Sequence, residues 1–252
     1  MENIGLLDEM RRMLEEARRA VVFTGAGIST ESGIPDFRSP GTGLWNRIKP
    51  IEFSQFMGSD EVRQESWRRR FSGAREMESA KPNKGHQAVA KLVEEGKVIG
   101  VITQNVDNLF QDAGIPEEQV VELHGNASYA ACLTCGWRYE MEALKAQFSE
   151  RGRIDPCKVC GGIIKSATIS FGQAMPEDAM RRAREYTESC DLMLATGSTL
   201  IVYPAAGFPE YAKQLGARLV ILNREATPLD GIADLVVHDE IGRALSYVVG
   251  IN

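Results

Sequence analysis

The clearest indication of the fold comes from residues 20–30, which read Ala-Val-Val-Phe-Thr-Gly-Ala-Gly-Ile-Ser-Thr. The apolar and β-branched run at 20–24 stops at a glycine, as a buried parallel strand does. Comparable runs follow at 98–102, 192–195, 219–222 and 235–237. Helical patterns stand before or between most of these runs, at 6–17, 86–95, 177–188 and 205–215. Strands that alternate with helices predict an α/β protein, in which an open, doubly wound parallel sheet carries helices on both faces.

Two segments interrupt this alternation. Residues 44–83 carry aromatic side chains among many charges and no strand-like run, which predicts a small helical insertion. Residues 128–166 hold four cysteines in two pairs and form a second insertion. We therefore expect one large domain, made of residues 1–43, 84–127 and 167–252, and a smaller domain assembled from the two insertions.

The composition narrows the class of protein. The 252 residues are 43% hydrophobic and 25% charged, which excludes disordered and fibrous chains. A formal net charge of −6 gives no global positive field, so direct nucleic-acid binding is not expected. The N-terminus lacks the pattern of a signal peptide, and no apolar run reaches the roughly 18 residues that span a bilayer. We expect a cytoplasmic protein without a membrane partner.

The first candidate site is the glycine turn Gly25-Ala26-Gly27, directly after the first strand. Such a turn brings backbone N–H groups, and the start of the next helix, close to a phosphate. The dinucleotide-binding pattern G-x-G-x-x-G would require glycine at position 30, where Thr30 stands. The segment therefore predicts a phosphate or dinucleotide loop that departs from the dehydrogenase pattern, and a purely structural tight turn is the alternative. Its tail, Asp36-Phe37-Arg38, adds a carboxylate, a ring and a guanidinium beside the turn.

Polar residues also follow three later strands. Gln104-Asn105-Val106-Asp107 comes after the strand at 98–102, at the sheet edge where open α/β sheets bind ligands. Its amides and carboxylate match the hydrogen-bonding groups of a carboxamide ligand, although an Asx-rich helix cap fits the segment equally well. Gly197-Ser198-Thr199 and Asn223 end two further strands and are candidates for contact with a nucleotide.

His124 is the candidate general base, since the ordinary pKa of histidine, about 6.5, suits proton transfer near neutral pH. It ends a strand-like run and precedes a glycine. The other two histidines are His86, within a charged helical segment, and His238, near the C-terminus, and we expect structural or surface roles for both. On spacing alone, a structural role for His124 stays open.

The four paired cysteines, Cys132, Cys135, Cys157 and Cys160, have the spacing C-x2-C-x21-C-x2-C. Two pairs of thiolates are typical of a tetrahedral, structural Zn²⁺ site, and four sulfur ligands leave no open position for catalysis. A redox site would instead use a single C-x-x-C near a βαβ unit. We expect one Zn²⁺ per chain.

Taken together, these motifs resemble those of the sirtuins, of the prokaryotic type, in the same order along nearly the whole chain. The resemblance implies a Rossmann-like NAD⁺-binding domain, a smaller zinc-ribbon and helical domain, and a cleft between them. The implied activity is NAD⁺-dependent removal of acetyl groups from protein lysine side chains, giving nicotinamide, O-acetyl-ADP-ribose and deacetylated lysine. Mono-ADP-ribosyl transfer and a non-catalytic zinc-ribbon binding module are the alternatives.

The resemblance also implies roles for individual residues. His124 and Asn105 would be catalytic, with His124 accepting a ribose hydroxyl proton once the acetyl oxygen has attacked C1′ of the nicotinamide ribose. Ser170, Phe171 and Gly172 would pair with the backbone of the acetylated protein or peptide. The residues implied to border NAD⁺ are Gly25, Ala26, Gly27, Thr30, Asp36, Phe37, Arg38, Gln104, Asn105, Val106, Asp107, His124, Gly197, Ser198, Thr199, Asn223 and Ile241.

Some positions depart from the family's pattern. Asn108-Leu109-Phe110 stands where Gly-Leu-His is common, Lys165-Ser166 replaces Arg-Pro, and Gln173 replaces a frequent glutamate. The Tyr and Arg pair that accepts acidic acyl groups in some members is not evident near residues 67–75, so a neutral acyl group is favoured. The segment Trp67-Arg-Arg-Arg-Phe71 is expected to be a solvated helix face.

Overall fold

The computed structural model describes residues 3–36, 49–73, 77 and 79–251. It contains a six-stranded parallel sheet and a three-stranded antiparallel sheet. The strands are β1 (Ala20–Thr24), β2 (Val98–Thr103), β3 (Val120–Glu122), β4 (Gly125–Cys132), β5 (Arg138–Glu140), β6 (Ile164–Thr168), β7 (Leu192–Thr196), β8 (Arg218–Leu222) and β9 (Leu235–Val237). The large sheet has the order β3-β2-β1-β7-β8-β9. Each strand-like run of the sequence is a strand of this sheet.

Helices cover both faces of the large sheet, so the doubly wound architecture is confirmed. The helices are α1 (Ile4–Glu16), α2 (Phe53–Gly58), α3 (Asp60–Ser72), α4 (Lys84–Glu94), α5 (Leu109–Asp112), α6 (Met141–Arg151), α7 (Glu177–Ser189), α8 (Gly207–Gln214) and α9 (Ile241–Val249). Along β1, Val22 packs with α1, α4 and α9, whereas Phe23 packs with α7 and α8. Neighbouring strand residues point to opposite faces, so strands covered on both sides are apolar throughout. Within the described ranges, no helix has the length and apolar character needed to cross a bilayer.

The topology brings distant polar segments to one edge. β1 lies between β2 and β7, and Thr24 pairs in register with Thr103 of β2 and with Thr196 of β7. Because all three strands are parallel, the loops that follow them leave the sheet side by side. The chain winds in opposite directions from this central strand, which creates the crevice where open α/β sheets bind ligands.

The turns after β1 and β7 interlock through their backbones. The Gly27 N–H donates to the carbonyl of Gly197 at 2.8 Å, and a Cβ on Gly27 would lie 2.8 Å from the Cα of Gly197. Gly197 has a φ of +64°, and a Cβ there would lie 2.4 Å from the nitrogen of Ile28. No side chain fits at either position, so the packing of the two turns by itself requires glycine at both.

The glycine turn continues into a 3-10 helix, Ala26–Ser32, and not into the α-helix that a phosphate-binding turn usually opens. Gly33 ends this helix in the left-handed region, with a φ of +84°, and Pro35 follows two residues later. The helix that follows the turn is therefore a short 3-10 helix of seven residues, and its contribution to phosphate binding stays a prediction.

A second core joins the two insertions. The antiparallel sheet has the order β5-β4-β6, and Trp67 of α3 packs in one cluster with Ala130 of β4, Leu144 of α6 and Ile164 of β6. Trp67 is 3% exposed, so the expectation of a solvated face at Trp67-Arg-Arg-Arg-Phe71 is wrong for this side chain. The helix turns its tryptophan inward because the cluster offers an apolar surface that the sequence pattern did not reveal. The exact bounds of the two domains stay a prediction.

We predict that Trp67→Ala destabilises this second core by about 3–5 kcal/mol, the usual cost of deleting a buried indole. The free energy of unfolding in urea, followed by circular dichroism, measures the effect. Trp137→Ala is the matched control, since Trp137 is 49% exposed and its removal leaves no cavity. Equal destabilisation by the two variants would contradict the assignment of Trp67 to the core.

Candidate active site

A cavity of about 1480 Å³ lies at the carboxyl ends of β1, β2 and β7. Apart from Asp107, every described residue that the sequence implied to border NAD⁺ or peptide lines it. Phe37 and Arg38 lie outside the described residues. The lining residues of the implied set are Gly25, Ala26, Gly27, Thr30, Asp36, Gln104, Asn105, Val106, His124, Ser170, Phe171, Gly172, Gly197, Ser198, Thr199, Asn223 and Ile241.

Gln104 connects the segments that meet in this cavity. Its backbone N–H donates to the Thr24 carbonyl at 3.0 Å, and its side-chain Nε2 donates to the Ser198 hydroxyl at 2.9 Å. Its own carbonyl accepts from Nδ1 of His124 at 3.0 Å. Gln104 therefore fixes the relative positions of β1, of the glycine turn after β7 that contains Ser198, and of His124.

His124 has a defined orientation. A carbonyl oxygen only accepts hydrogen bonds, so the Nδ1 atom that faces Gln104 carries the proton, and Nε2 is the acceptor nitrogen of the neutral ring. The backbone carbonyl of His124 accepts from the N–H of Ile169 at 2.8 Å. The next residue, Gly125, has a φ of +73°, and a Cβ there would lie 2.0 Å from the Ala167 carbonyl oxygen. His124 thus lies between β3, the edge strand of the parallel sheet, and β4, the central strand of the antiparallel sheet.

A buried polar cluster lies behind the cavity wall. The Ser29 hydroxyl donates to the Asp107 carboxylate at 2.6 Å and accepts from Nδ2 of Asn105 at 3.1 Å. Nε2 of His86 lies 3.4 Å from the same hydroxyl. Burial lowers the pKa of His86 to about 4, and burial raises the pKa of Asp107 although the Ser29 hydroxyl opposes that shift. His86 is therefore neutral at pH 7.

Two residues of this cluster, Ser29 and His86, were absent from the predicted site. The surface alternative for His86 is wrong, because the ring is fully buried and packs edge-on against Phe110 at 5.0 Å. Asn83, three residues earlier, caps α4 by accepting from the His86 N–H, and its Nδ2 donates to the Ile28 carbonyl at 2.7 Å. In the sequence, Asn83 and His86 form an Asn-x-x-His cap, which indicates the start of a helix but does not identify Ser29 as the partner of His86.

Asn108 adopts the left-handed conformation, with a φ of +67°, at the position where the family commonly has glycine. Asparagine tolerates this region better than most residues. Its side-chain oxygen accepts from Nδ2 of Asn126 at 2.9 Å, and the same nitrogen donates to Glu122 at 2.7 Å. The substitution therefore keeps the backbone turn after Asp107 and adds a polar link to the strands that flank His124.

Residues 168–172, called the peptide segment below because Ser170, Phe171 and Gly172 are the residues predicted to pair with peptide, are held by hydrogen bonds to α2 and within their own turn. The Phe171 carbonyl accepts from the N–H of Phe53, the first residue of α2, at 2.9 Å. Within the turn, the Ser170 N–H donates to the side-chain oxygen of Gln173 at 3.1 Å, and the Gln173 N–H donates back to the Ser170 carbonyl at 3.0 Å. Gln173 therefore stabilises the turn with its side chain.

The four paired cysteines converge. Their Sγ atoms all lie within 4.8 Å of one another, with Cys132 and Cys160 at 3.5 Å and Cys135 and Cys157 at 3.7 Å. Tetrahedral Zn–S bonds of about 2.3 Å place sulfur atoms about 3.8 Å apart, so one Zn²⁺ fits this cluster. The Tyr139 hydroxyl donates to the Cys157 sulfur at 3.1 Å, as outer partners of a thiolate ligand do. The ion would cross-link the ribbon and supply no catalytic chemistry.

Comparison with known proteins fits this geometry. Residues 25–204 match the sequence profile of the Sir2 family. The chain belongs to this family. A protein of Rhodopseudomonas palustris named NAD-dependent protein deacetylase is 52% identical over 244 residues, which is 97% of this chain and 96% of the relative. The NAD-dependent protein deacetylase 1 of Bradyrhizobium diazoefficiens is 53% identical over 244 residues, 97% of this chain and 95% of the relative.

Solved structures of the Sir2 family superpose on the whole chain. A Sir2 complex with p53 peptide and NAD⁺ has a TM-score of 0.85 at 36% identity and covers 100% of both chains. A Sir2 variant with a deacetylated p53 peptide and 3′-O-acetyl ADP ribose has a TM-score of 0.88 at 36% identity and covers 98% of this chain and 99% of that one. The Rossmann-like sheet with its four-cysteine ribbon is thus the architecture of this family.

We predict that stability falls as the pH drops from about 6.5 to about 4, because the native state holds His86 neutral while the unfolded chain binds the proton. A pKa of about 4 against the ordinary 6.5 corresponds to a loss of about 3 kcal/mol. Urea unfolding at several pH values measures it. His86→Gln should show a shallower decline than the wild type, and the half-exposed His238→Gln should not. Parallel declines for all three proteins would contradict this origin.

We predict that the folded protein holds one zinc per chain and that Cys157→Ala loses it. Metal binding contributes of order 10 kcal/mol to folding in small zinc modules, so the antiparallel sheet should unfold at a lower temperature in this variant. Elemental analysis and thermal melting measure both effects. Cys190→Ala is the matched control, because Cys190 packs against the large sheet. Retention of zinc by Cys157→Ala would refute the four-cysteine site.

Proposed function

We infer that this chain is an NAD⁺-dependent protein-lysine deacetylase of the sirtuin type. The observation that carries this inference is the shared cavity, where one oriented histidine lies between two interlocked glycine turns and a backbone segment suited to peptide pairing. The names of the most similar relatives and the peptide and NAD⁺ complexes of the solved structures support it.

The glycine turns are the proposed binding site for the phosphates and adenosine of NAD⁺. Gly25 and Gly27 line the cavity without side chains, which allows a ligand to approach the main chain closely. Asn223 and Ile241 border the same end, where Glu31 accepts from the Gly242 N–H at 2.7 Å and so ties the turn to α9. NAD⁺ supplies a ribose carbon from which nicotinamide leaves.

The amide segment is the proposed nicotinamide and ribose pocket. Gln104, Asn105 and Val106 line the cavity directly. Asp107 would act from behind this lining, through its hydrogen bond from Ser29. In this proposal Asp107 orients its neighbours at the pocket predicted from the sequence.

His124 is the proposed general base. The hydrogen bond to the Gln104 carbonyl keeps the proton on Nδ1, so Nε2 can accept a proton from a ribose hydroxyl. The Ile169 N–H donates to the backbone carbonyl of the same histidine. The base therefore lies directly beside the start of the peptide segment. An acetyl-lysine side chain that enters from Ser170–Gly172 would then meet the base.

Peptide pairing is the proposed mode of substrate binding. An extended acetylated segment would add as a strand against Ser170–Gly172, and main-chain hydrogen bonds make such binding tolerant of sequence. The exposed ring of Phe171 borders this edge. The edge favours protein or peptide substrates over free acetyl-lysine.

We predict that His124→Ala lowers the rate of deacetylation by about 10²- to 10⁴-fold, the usual loss when a general base is removed. Binding of NAD⁺, measured by calorimetry, should change little, because the glycine turns are untouched. Release of nicotinamide and of deacetylated peptide is followed by liquid chromatography, with the melting temperature as the control for folding. A variant with wild-type turnover would remove His124 from the mechanism.

The test of the function itself is nicotinamide release that depends on an acetylated peptide. With NAD⁺ and peptide, the wild type should form nicotinamide and deacetylated peptide in equal amounts. Nicotinamide release with transfer of ADP-ribose to the protein or peptide would instead indicate a mono-ADP-ribosyltransferase. No turnover and no NAD⁺ binding would indicate a non-catalytic zinc-ribbon module.

A further inference from the structure

Lys165 carries a buried ammonium close to the proposed peptide site. The side chain lies on β6 and is 4% exposed. Its Nζ donates to the carbonyl oxygens of Thr168 and Ser166, at 2.5 and 3.3 Å, and lies 5.9 Å from the ring centre of Phe56. Both acceptors are uncharged, and burial lowers the pKa of Lys165 to about 8. Burying a cation without a carboxylate partner is costly, so a purely apolar side chain would be expected at this position.

The backbone that Lys165 holds continues directly into the peptide segment. Three hydrogen bonds tie residues 168–172 to parts of the chain outside this turn. The Ile169 N–H binds the His124 carbonyl at 2.8 Å, and the Phe171 carbonyl binds the N–H of Phe53 at 2.9 Å. Both of these bonds join backbone to backbone. The third is the bond from the buried ammonium to the first carbonyl of the segment, the Thr168 carbonyl, and a side chain supplies it. Gln173, which binds the Ser170 N–H, supplies a further side-chain bond from within the turn.

We propose that Lys165 is a positioning residue for substrate binding, whose ammonium fixes the path of residues 168–172 and so presents the Ser170–Gly172 edge to the acetylated peptide. This proposal rests on the proposed function. Lys165 lies outside the cavity lining, so it acts through the backbone. Loss of the ammonium leaves a buried carbonyl unsatisfied and allows the segment to move.

The test compares two substrates that differ only in the backbone available for pairing. One is a ten-residue acetylated peptide, and the other is acetyl-lysine capped at both ends. Lys165→Met should raise the KM for the peptide about tenfold, the usual effect of losing one charge-assisted hydrogen bond. The KM for NAD⁺ and for the capped amino acid should stay within about twofold, because neither depends on strand pairing.

Two further variants complete the design. Lys165→Arg keeps the cation and its donors, and should restore the peptide KM to within about threefold of the wild type. Lys158→Met removes an exposed lysine of the zinc ribbon and should change none of the three constants. If Lys165→Met does not fold, Lys165→Gln is measured in the same way and must show the same peptide-selective change.

The changes in KM decide between a positioning role and a general structural role for Lys165. An unchanged peptide KM in folded Lys165→Met, or equal increases for peptide and capped acetyl-lysine, would overturn the positioning role. A parallel increase in the KM for NAD⁺ would indicate a general structural role and would overturn it as well. If the wild type releases no nicotinamide with either substrate, the proposed function fails. Fluorescence anisotropy with the labelled acetylated peptide then tests Lys165 by binding alone, with the same tenfold weakening expected.

Discussion

The direct backbone contact between Gly27 and Gly197 is the constraint on which the rest of the site depends. Their hydrogen bond of 2.8 Å and the absence of room for a Cβ at either residue bind the turns after β1 and β7 into one unit. Main-chain atoms make this contact, so its geometry does not vary with side-chain rotamers. Gln104 then joins the unit to His124 through its carbonyl, and the position of the base is set from the same backbone.

The sheet order explains why one contact has so wide an effect. β1 is central, and the parallel strands on either side end at the same edge, so the segments at 25–27, 104–106 and 197–199 meet although the chain separates them widely. His124 follows β3, one strand beyond β2, and therefore needs Gln104 as a bridge. Ile169, which follows β6, donates its N–H to the His124 carbonyl. This bond fixes the antiparallel sheet relative to the parallel one.

The sequence predicts those parts of the molecule that are determined locally. The strands can be predicted from the sequence because burial on both faces requires continuous apolar runs. The four-cysteine site can be predicted because each C-x-x-C pair lies within one local turn. The contact between Ser29 and His86 spans 57 residues, and hydrophobic periodicity reports that a segment is buried without identifying its partner. Trp67 differs from expectation for the same reason, since the apolar surface that receives it belongs to other parts of the chain.

The buried cluster determines which atom Asn105 can offer to a ligand. Because the Ser29 hydroxyl donates its only proton to Asp107, its oxygen can only accept, and the group that Asn105 turns towards it must be the amide nitrogen. The side-chain oxygen of Asn105 then lies on the other side of the amide, where it can act only as a hydrogen-bond acceptor. His86, held neutral by burial, approaches the same hydroxyl without adding a charge. The Asp107 carboxylate thus determines the direction of the hydrogen bonds that Ser29 and Asn105 make.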